Sequence, residues 1–216
     1  LDSMIISHGD NDHIGGVTSL LEVVEVGDVI SNEKTRLTGV QPCIDGTEWQ
    51  WDGVRFNIIH PLDSGVSTND RSCVLRISSA FGAILFPADI EKRGDAEILT
   101  RYHDKIRSDV LGAPHHGSNT SLTEDFLDSV SPSAVLFPAG WMNRYRHPSR
   151  SVMERIARAG ITSRVTGDCG ALTVRFSAGG ISIESQRGSG SGIWVYRDSD
   201  KACRKLMIGL SENPPV

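Results

Sequence analysis

Short apolar runs alternate with polar, glycine-bearing turns along the chain. Met4-Ile5-Ile6 is the first, and it stops at Ser7-His8-Gly9-Asp10-Asn11-Asp12-His13-Ile14-Gly15-Gly16. A run this apolar fits a strand with neighbours on both sides, so the chain is expected to start inside a domain. Residues 17–24 carry Leu20, Leu21 and Val24 at helical spacing, which predicts a short helix with those three turned inward. Residues 26–31 and 54–59 read as strands, and Trp49 and Trp51 flank a hairpin turn at Asp52-Gly53. After a polar loop over 61–71, residues 73–77 and 83–86 form a hairpin around Ala80-Phe81-Gly82. Helices are predicted over 95–107, 122–130 and 149–159, the last stopped by Gly160. Strands at 110–111 and 134–137 separate them, and residues 172–176 and 181–185 close as a hairpin.

Strands alternating with helices, with hairpins mixed in, give an α/β fold. The more useful regularity lies in the polar residues. His8, Asp89 and His115 each fall just past the end of an apolar strand, where α/β folds build their sites.

Composition narrows the class. The 216 residues are 38% hydrophobic and 23% charged, which suits one domain with a tail. We expect the domain to span 1–187, with 188–216 a Gly/Ser-rich linker and tail. No uninterrupted apolar stretch approaches the ~20 residues of a bilayer span. Leu1 opens directly onto a strand, so no signal peptide is expected within these residues. The four cysteines, Cys43, Cys73, Cys169 and Cys203, form no C-x-x-C pair. Their spacing fits neither a zinc ribbon nor a dense disulfide framework, and they read as small buried hydrophobes or inert thiols.

The first polar cluster carries the strongest chemistry. His8, Asp10, Asp12 and His13 fall within one tight turn, and glycines flank it. Imidazole nitrogen and carboxylate oxygen are both good ligands for a divalent metal. A solvated polar loop is the alternative, but two histidines and two aspartates after a buried strand are unusual for it.

These residues resemble a known family. His8-x-Asp10-x-Asp12-His13 is similar to the H-x-H-x-D-H signature of the metallo-β-lactamase fold, with Asp10 in place of the second histidine. Within that fold the resemblance is to the C-terminal domain of ComEC-type DNA-internalisation proteins. Asn69-Asp70-Arg71-Ser72-Cys73-Val74-Leu75, Leu85-Phe86-Pro87-Ala88-Asp89-Ile90 and Pro114-His115-His116-Gly117-Ser118 resemble its further motifs, with Ala88 in place of a glycine. Arg146-His147-Pro148 matches a recurrent H-P step. The resemblance implies an αββα sandwich whose N-terminal strands lie outside this chain. It implies two divalent ions, Mn or Zn, with His8 and Asp10 at one and Asp12, His13 and His115 at the other. Asp89 would bridge them. Either His115 or His116 can supply that ligand, with His115 the expected one. The histidine that the family usually supplies between the first motif and the bridging aspartate has no clear equivalent. His60 ends a strand, and Asn69 or Ser72 stands nearer the place.

The implied activity is metal-dependent cleavage of phosphodiester bonds in DNA, degrading the strand that is not imported during natural uptake. The parent protein would be an inner-membrane channel with this domain on the extracytoplasmic side. A pair of divalent ions activates water and offsets charge on a phosphoryl oxygen. Asp12 and Asp89 can orient that water through hydrogen bonds. An aspartate at position 10 makes the first site harder, which shifts preference toward Mn²⁺.

The charge balance fits this chemistry. Two divalent ions would move the formal net charge from −5 to about −1. Arg144 and Arg146 lie in the loop before the 149–159 helix, where they can meet phosphates or only solvent. Trp141 and Tyr145 can stack on the bases of a single strand. His147 can donate a proton to the leaving oxygen, contact phosphate, or serve structure. Two other functions stay open: a non-catalytic DNA-binding or structural part of a membrane channel, and a small-molecule ester, thioester or lactone hydrolase.

Overall fold

A computed structural model describes residues 1–33, 39–61, 67–187, 203 and 205–209. The first layer is a parallel sheet of β1 (Ser3–Ile6), β2 (Asp28–Ser31) and β3 (Val40–Gln41). Between β1 and β2 run α1 (Asn11–Ile14) and α2 (Val17–Leu21). The central sheet has seven strands: β4 (Glu48–Trp51), β5 (Val54–His60), β6 (Val74–Ser79), β7 (Gly82–Phe86), β8 (Val110–Gly112), β9 (Ala134–Phe137) and β10 (Thr162–Val165). They lie in chain order across the sheet, antiparallel from β4 to β7 and parallel from β7 to β10. The parallel half needs crossovers, which α3 (Lys92–Tyr102), α4 (Glu124–Val130) and α5 (Arg150–Arg158) supply. After the one-turn α6 (Thr166–Cys169), β11 (Leu172–Ser177), β12 (Gly180–Ser185) and β13 (Leu206–Ile208) make a third, antiparallel sheet.

Both faces of the central sheet are covered, which explains its near-continuous apolar strands. Along β9, Val135 and Phe137 join the cluster under the helices, with Ile98, Phe126 and Ile156. Ala134 and Leu136 face the other way, onto Ile181 and Ile183 of β12. A third cluster, Ile30, Cys43, Ile58 and Cys73, seats the first sheet on β5 and β6. Helices therefore cover one face of the sheet and two smaller sheets cover the other. Among the described residues no helix is long and apolar enough to cross a membrane.

Several local expectations are corrected. The third helix starts at Lys92 rather than 95, because Asp70 caps it from another segment. Its Oδ1 accepts the N–H groups of Glu91 (2.8 Å) and Gly94 (3.1 Å). It stops at Tyr102, where His103 turns to a φ of 47°, and a 3-10 turn finishes the segment. The helix α2 buries none of its residues, and Leu20, expected to turn inward, is 39% exposed. The cysteines are not free thiols. Cys43 is joined to Cys73 and Cys169 to Cys203, and all four are buried. The expected linker falls on residues 188–192, outside those described. Within the expected tail, β13 pairs with β12.

Candidate metal centre

Four segments converge at the ends of neighbouring strands. The chain leaves β1 at Ser7 and folds at once into α1. The Asp10 carbonyl accepts the N–H groups of His13 and Ile14, both at 2.9 Å, which turns Asp12 and His13 back over the strand end. The β7 segment exits through Pro87 and Ala88 to Asp89. The β8 segment exits to His115 and His116, and β9 to Pro138. Three residues here hold left-handed backbone without being glycine: Ala88 (φ 51°), His115 (φ 47°) and His116 (φ 53°). Each costs roughly 1–2 kcal/mol, and such strain gathers at functional sites. Ala88 stands where a glycine would be at ease.

The donor atoms face one another. His13 Nε2 lies 3.3 Å from Asp89 Oδ1, 3.3 Å from His116 Nε2 and 3.8 Å from Asp12 Oδ2. His116 Nε2 is 3.2 Å from Asp12 Oδ2 and 3.4 Å from Asp89 Oδ2. His8 Nε2 stands 3.7 Å from Asp10 Oδ2 and 3.9 Å from Asp89 Oδ2. Among the described residues two triads have ligand atoms within 4.8 Å of one another: His8, His13 and Asp89, and Asp12, His13 and His116. Asp10 is close to His8 but belongs to neither triad. His115 also belongs to neither. Its Nε2 is 3.9 Å from Asp89 Oδ2, and its Nδ1 turns to Glu91, at 3.2 Å from Oε1.

The protonation pattern suits a cation. His116 Nδ1 is 2.9 Å from the Pro138 carbonyl, which can only accept, so Nδ1 carries the hydrogen. In the neutral ring this leaves a lone pair on Nε2, aimed into the cluster. The His8 side chain is fully buried and its Nε2 has no hydrogen-bond partner. An orphaned buried ring nitrogen among carboxylates is what a metal ligand leaves when its ion is not counted. Burial, reinforced by the His13 charge, lowers the pKa of His8 and keeps it neutral. Burial also opposes charge on His13, but the hydrogen bond and charge of Asp89, with Asp12 and Asp10, outweigh it and raise its pKa. Burial pushes Asp89 up, and the His13 bond with the surrounding imidazoles pulls it below its ordinary value.

Residues that sequence reasoning left in the background hold this arrangement. Ser72, fully buried, accepts the Asp89 N–H on Oγ (3.3 Å). His60 is not at the centre. It is buried, with Nδ1 on the Ser72 carbonyl (3.1 Å) and Nε2 3.4 Å from Glu97 Oε2. Asn143 shapes the loop after β9: its side chain donates to the Gly140 and His147 carbonyls and accepts the His147 N–H. Only Ser72 had a signal, its place in a recurrent motif.

That loop brings His147 beside the cluster, with Tyr145 and Arg144 layered on it. The His147 ring is 5.8 Å from that of His115, and Tyr145 stacks on His147 at 5.8 Å and 17°. The Arg144 guanidinium lies 4.6 Å above the Tyr145 ring. Trp141 and Tyr145 are 63% and 64% exposed, and Arg144 and Arg146 are exposed. Burial lowers the His147 pKa, and His115 and His116 lower it further. The Ser149 N–H is not free for a phosphate, since it donates to the Gly117 carbonyl (2.8 Å). Arg158 pairs with Glu124 (2.9 Å), and Arg155 donates to the Leu122 carbonyl, so these two brace α4 against α5.

No protein-family profile matches the chain. It is 33% identical over 188 residues to Competence protein ComA of Neisseria gonorrhoeae, covering 87% of this chain and 27% of that protein. It is 31% identical over 190 residues to Recombination protein 2 of Haemophilus influenzae, covering 87% and 24%. The chain thus spans about a quarter of the length of these curated relatives. Among solved structures, a putative metal-dependent hydrolase from Parabacteroides distasonis superposes with a TM-score of 0.53 at 13% identity, over 77% of this chain and 76% of that one. That likeness is one of fold.

Proposed function

Because this chain belongs to the ComEC-type competence proteins and carries the metallo-β-lactamase fold, we propose that it is a metal-dependent phosphodiesterase acting on DNA during natural uptake. The observation that carries this reading is the ring of bare donors on Asp89, set beside an exposed Arg- and aromatic-bearing loop. An imidazole Nε2 can serve one ion, yet His13 falls in both triads. The division that uses each nitrogen once gives His8 and Asp10 to the first ion, and Asp12, His13 and His116 to the second. Asp89, whose carboxylate lies within 4 Å of the ring nitrogens of both sets, would be shared between them. We take His116 rather than His115 for this set, because its Nε2 lies 3.3 Å from His13 Nε2, 3.2 Å from Asp12 Oδ2 and 3.4 Å from Asp89 Oδ2, whereas the His115 Nε2 is 3.9 Å from Asp89 Oδ2.

Bound divalent ions would supply an activated water and neutralise charge on a phosphoryl oxygen. Asp12, 65% exposed, stands at the mouth and can orient the attacking water. His147 is held neutral, so we assign it a hydrogen bond to a phosphate oxygen. Tyr145 and Trp141 offer stacking surfaces for bases, and Arg144 and Arg146 meet phosphates. Both disulfides favour an oxidising compartment, which agrees with a domain on the extracytoplasmic side of its membrane parent.

The test is cleavage of end-labelled single- and double-stranded oligonucleotides with Mn²⁺ or Zn²⁺, for the wild-type chain, Asp12→Asn and His116→Ala. We expect each variant to lose activity by about 100-fold or more. Undiminished cutting by both variants overturns the proposed centre. DNA binding without any cutting by the metal-loaded wild type replaces the nuclease with a non-catalytic binding module.

A further inference from the structure

One hydroxyl serves two imidazoles at the heart of the cluster. Ser7 Oγ is 3.1 Å from His8 Nδ1 and 3.1 Å from His13 Nδ1. The two rings lie against each other, with centroids 4.1 Å apart. Ser7 is itself fixed at the end of β1, where its carbonyl accepts the Cys73 N–H at 2.9 Å. From this geometry we propose that Ser7 is a positioning residue that sets the tautomer of both His8 and His13, so that both Nε2 lone pairs face Asp89 together. The proposal rests on the metal-centre reading above.

The argument is one of hydrogen counting. A neutral imidazole that offers Nε2 to a metal must carry its hydrogen on Nδ1. A serine hydroxyl has two acceptor lone pairs and one hydrogen. If both rings are ligands, both Nδ1–H groups donate to Oγ, and its two lone pairs are filled. If the hydroxyl instead donates to one Nδ1, that ring's hydrogen moves to Nε2 and the ring can no longer bind. The two rings are therefore coupled through one oxygen. Partners of this kind, on the far nitrogen of a ligating histidine, fix ring orientation and basicity. Alanine at position 7 removes the acceptor for both rings, whereas threonine keeps it.

The experiment measures Zn²⁺ and Mn²⁺ uptake by isothermal titration for the wild-type chain, Ser7→Ala and Ser7→Thr. Thermal melts without metal check that the variants fold. Imidazole ¹H–¹⁵N spectra of the Zn²⁺-loaded proteins read the tautomers. Ser7→Ala should lower affinity by about 10- to 100-fold. It should also mix the tautomers of His8 and His13, while Ser7→Thr keeps both properties near wild type. If the wild type takes up neither ion, the metal centre itself fails and the proposal falls with it. If the wild type binds and Ser7→Ala binds equally well with unchanged tautomers, the proposal alone is overturned. It is overturned equally if Ser7→Thr loses as much affinity as Ser7→Ala, since the hydroxyl is then not what matters.

Discussion

The Nε2 atoms of His13 and His116 stand 3.3 Å apart although 103 residues separate them in the chain. The Pro138 carbonyl holds a hydrogen of His116 on Nδ1, so in the neutral ring the nitrogen facing His13 carries a lone pair. Two ring nitrogens this close, with Asp12 and Asp89 around them, need a cation or a shared proton between them. That relationship is the reason the proposed centre takes His116 rather than its neighbour.

It follows that His116→Ala should weaken Zn²⁺ or Mn²⁺ uptake by more than the roughly 10- to 100-fold typical of losing an outer partner. His115→Ala should stay within that range, because it removes a ring lying between Glu91 and His147. Equilibrium metal competition on both variants checks this. The reverse order would return the ligand role to His115.

The loop after β9 should bind single strands through stacking and charge. Tyr145→Ala should cost about 1–3 kcal/mol in affinity for a single-stranded oligonucleotide. Arg146→Ala should leave sequence preference unchanged and make the salt dependence shallower by about one phosphate contact. Fluorescence anisotropy over a salt series measures both. Unchanged affinity and slope in the two variants would remove this loop from the DNA path.

Asp95, one turn along α3 from Glu91, gives the fold a pH dependence of its own. Burial, helped by the charge of Asp70, raises its pKa to about 7, while the Thr123 N–H and Arg155 act the other way. Its Oδ2 accepts that N–H at 2.8 Å, and its Oδ1 has no partner. Above pH ~4 the unfolded carboxyl ionises while the folded one keeps its proton. This contribution is therefore full at acid pH and is lost as pH rises to about 7, at about 1.4 kcal/mol per pH unit. Asp95→Asn keeps an acceptor for Thr123 and should flatten that slope. Urea unfolding at pH 5 and pH 8 tests it, and an equal slope in both proteins would refute the assignment.

Gly117 locks the histidine pair to the loop carrying His147. Its φ is 86°, and a Cβ there would meet Phe137 and Pro148 at 2.7 Å. Gly117→Ala should destabilise the fold by roughly 2–5 kcal/mol, adding a left-handed alanine to an overpacked contact. A loss below about 0.5 kcal/mol in denaturant unfolding would show that the loop can yield.

Much of this was readable in the chain. The 83–86 and 134–137 runs stand in the central sheet as expected, because strands covered on both faces are apolar nearly throughout, whereas Met4-Ile5-Ile6 forms a partly buried strand at the edge of its sheet, paired among the described residues only with β2. The hairpins at Gly82 and Gly180 were legible from their turn residues. The strand β10 was not, since Thr162-Ser163-Arg164-Val165 lies at the edge of its sheet and needs no apolar run. The start of α3 was misplaced because its cap, Asp70, comes from a distant segment.

The sequence by itself determined which chemistry is present. His8, Asp10, Asp12 and His13 follow a buried strand, and Asp89 and the His115-His116 pair follow others, so strand ends alone assemble imidazoles and carboxylates. It could not decide which nitrogens face which. Adjacent histidines are equivalent in a string of letters. They become different only when left-handed backbone turns His116 onto the Pro138 carbonyl and His115 toward Glu91. The same holds for Ser7, an ordinary serine until two rings from one turn meet on its oxygen, and for four cysteines whose partners lie 30 and 34 residues away. Spacing along a chain selects the functional groups, whereas hydrogen-bond direction depends on contacts that only the packed structure makes.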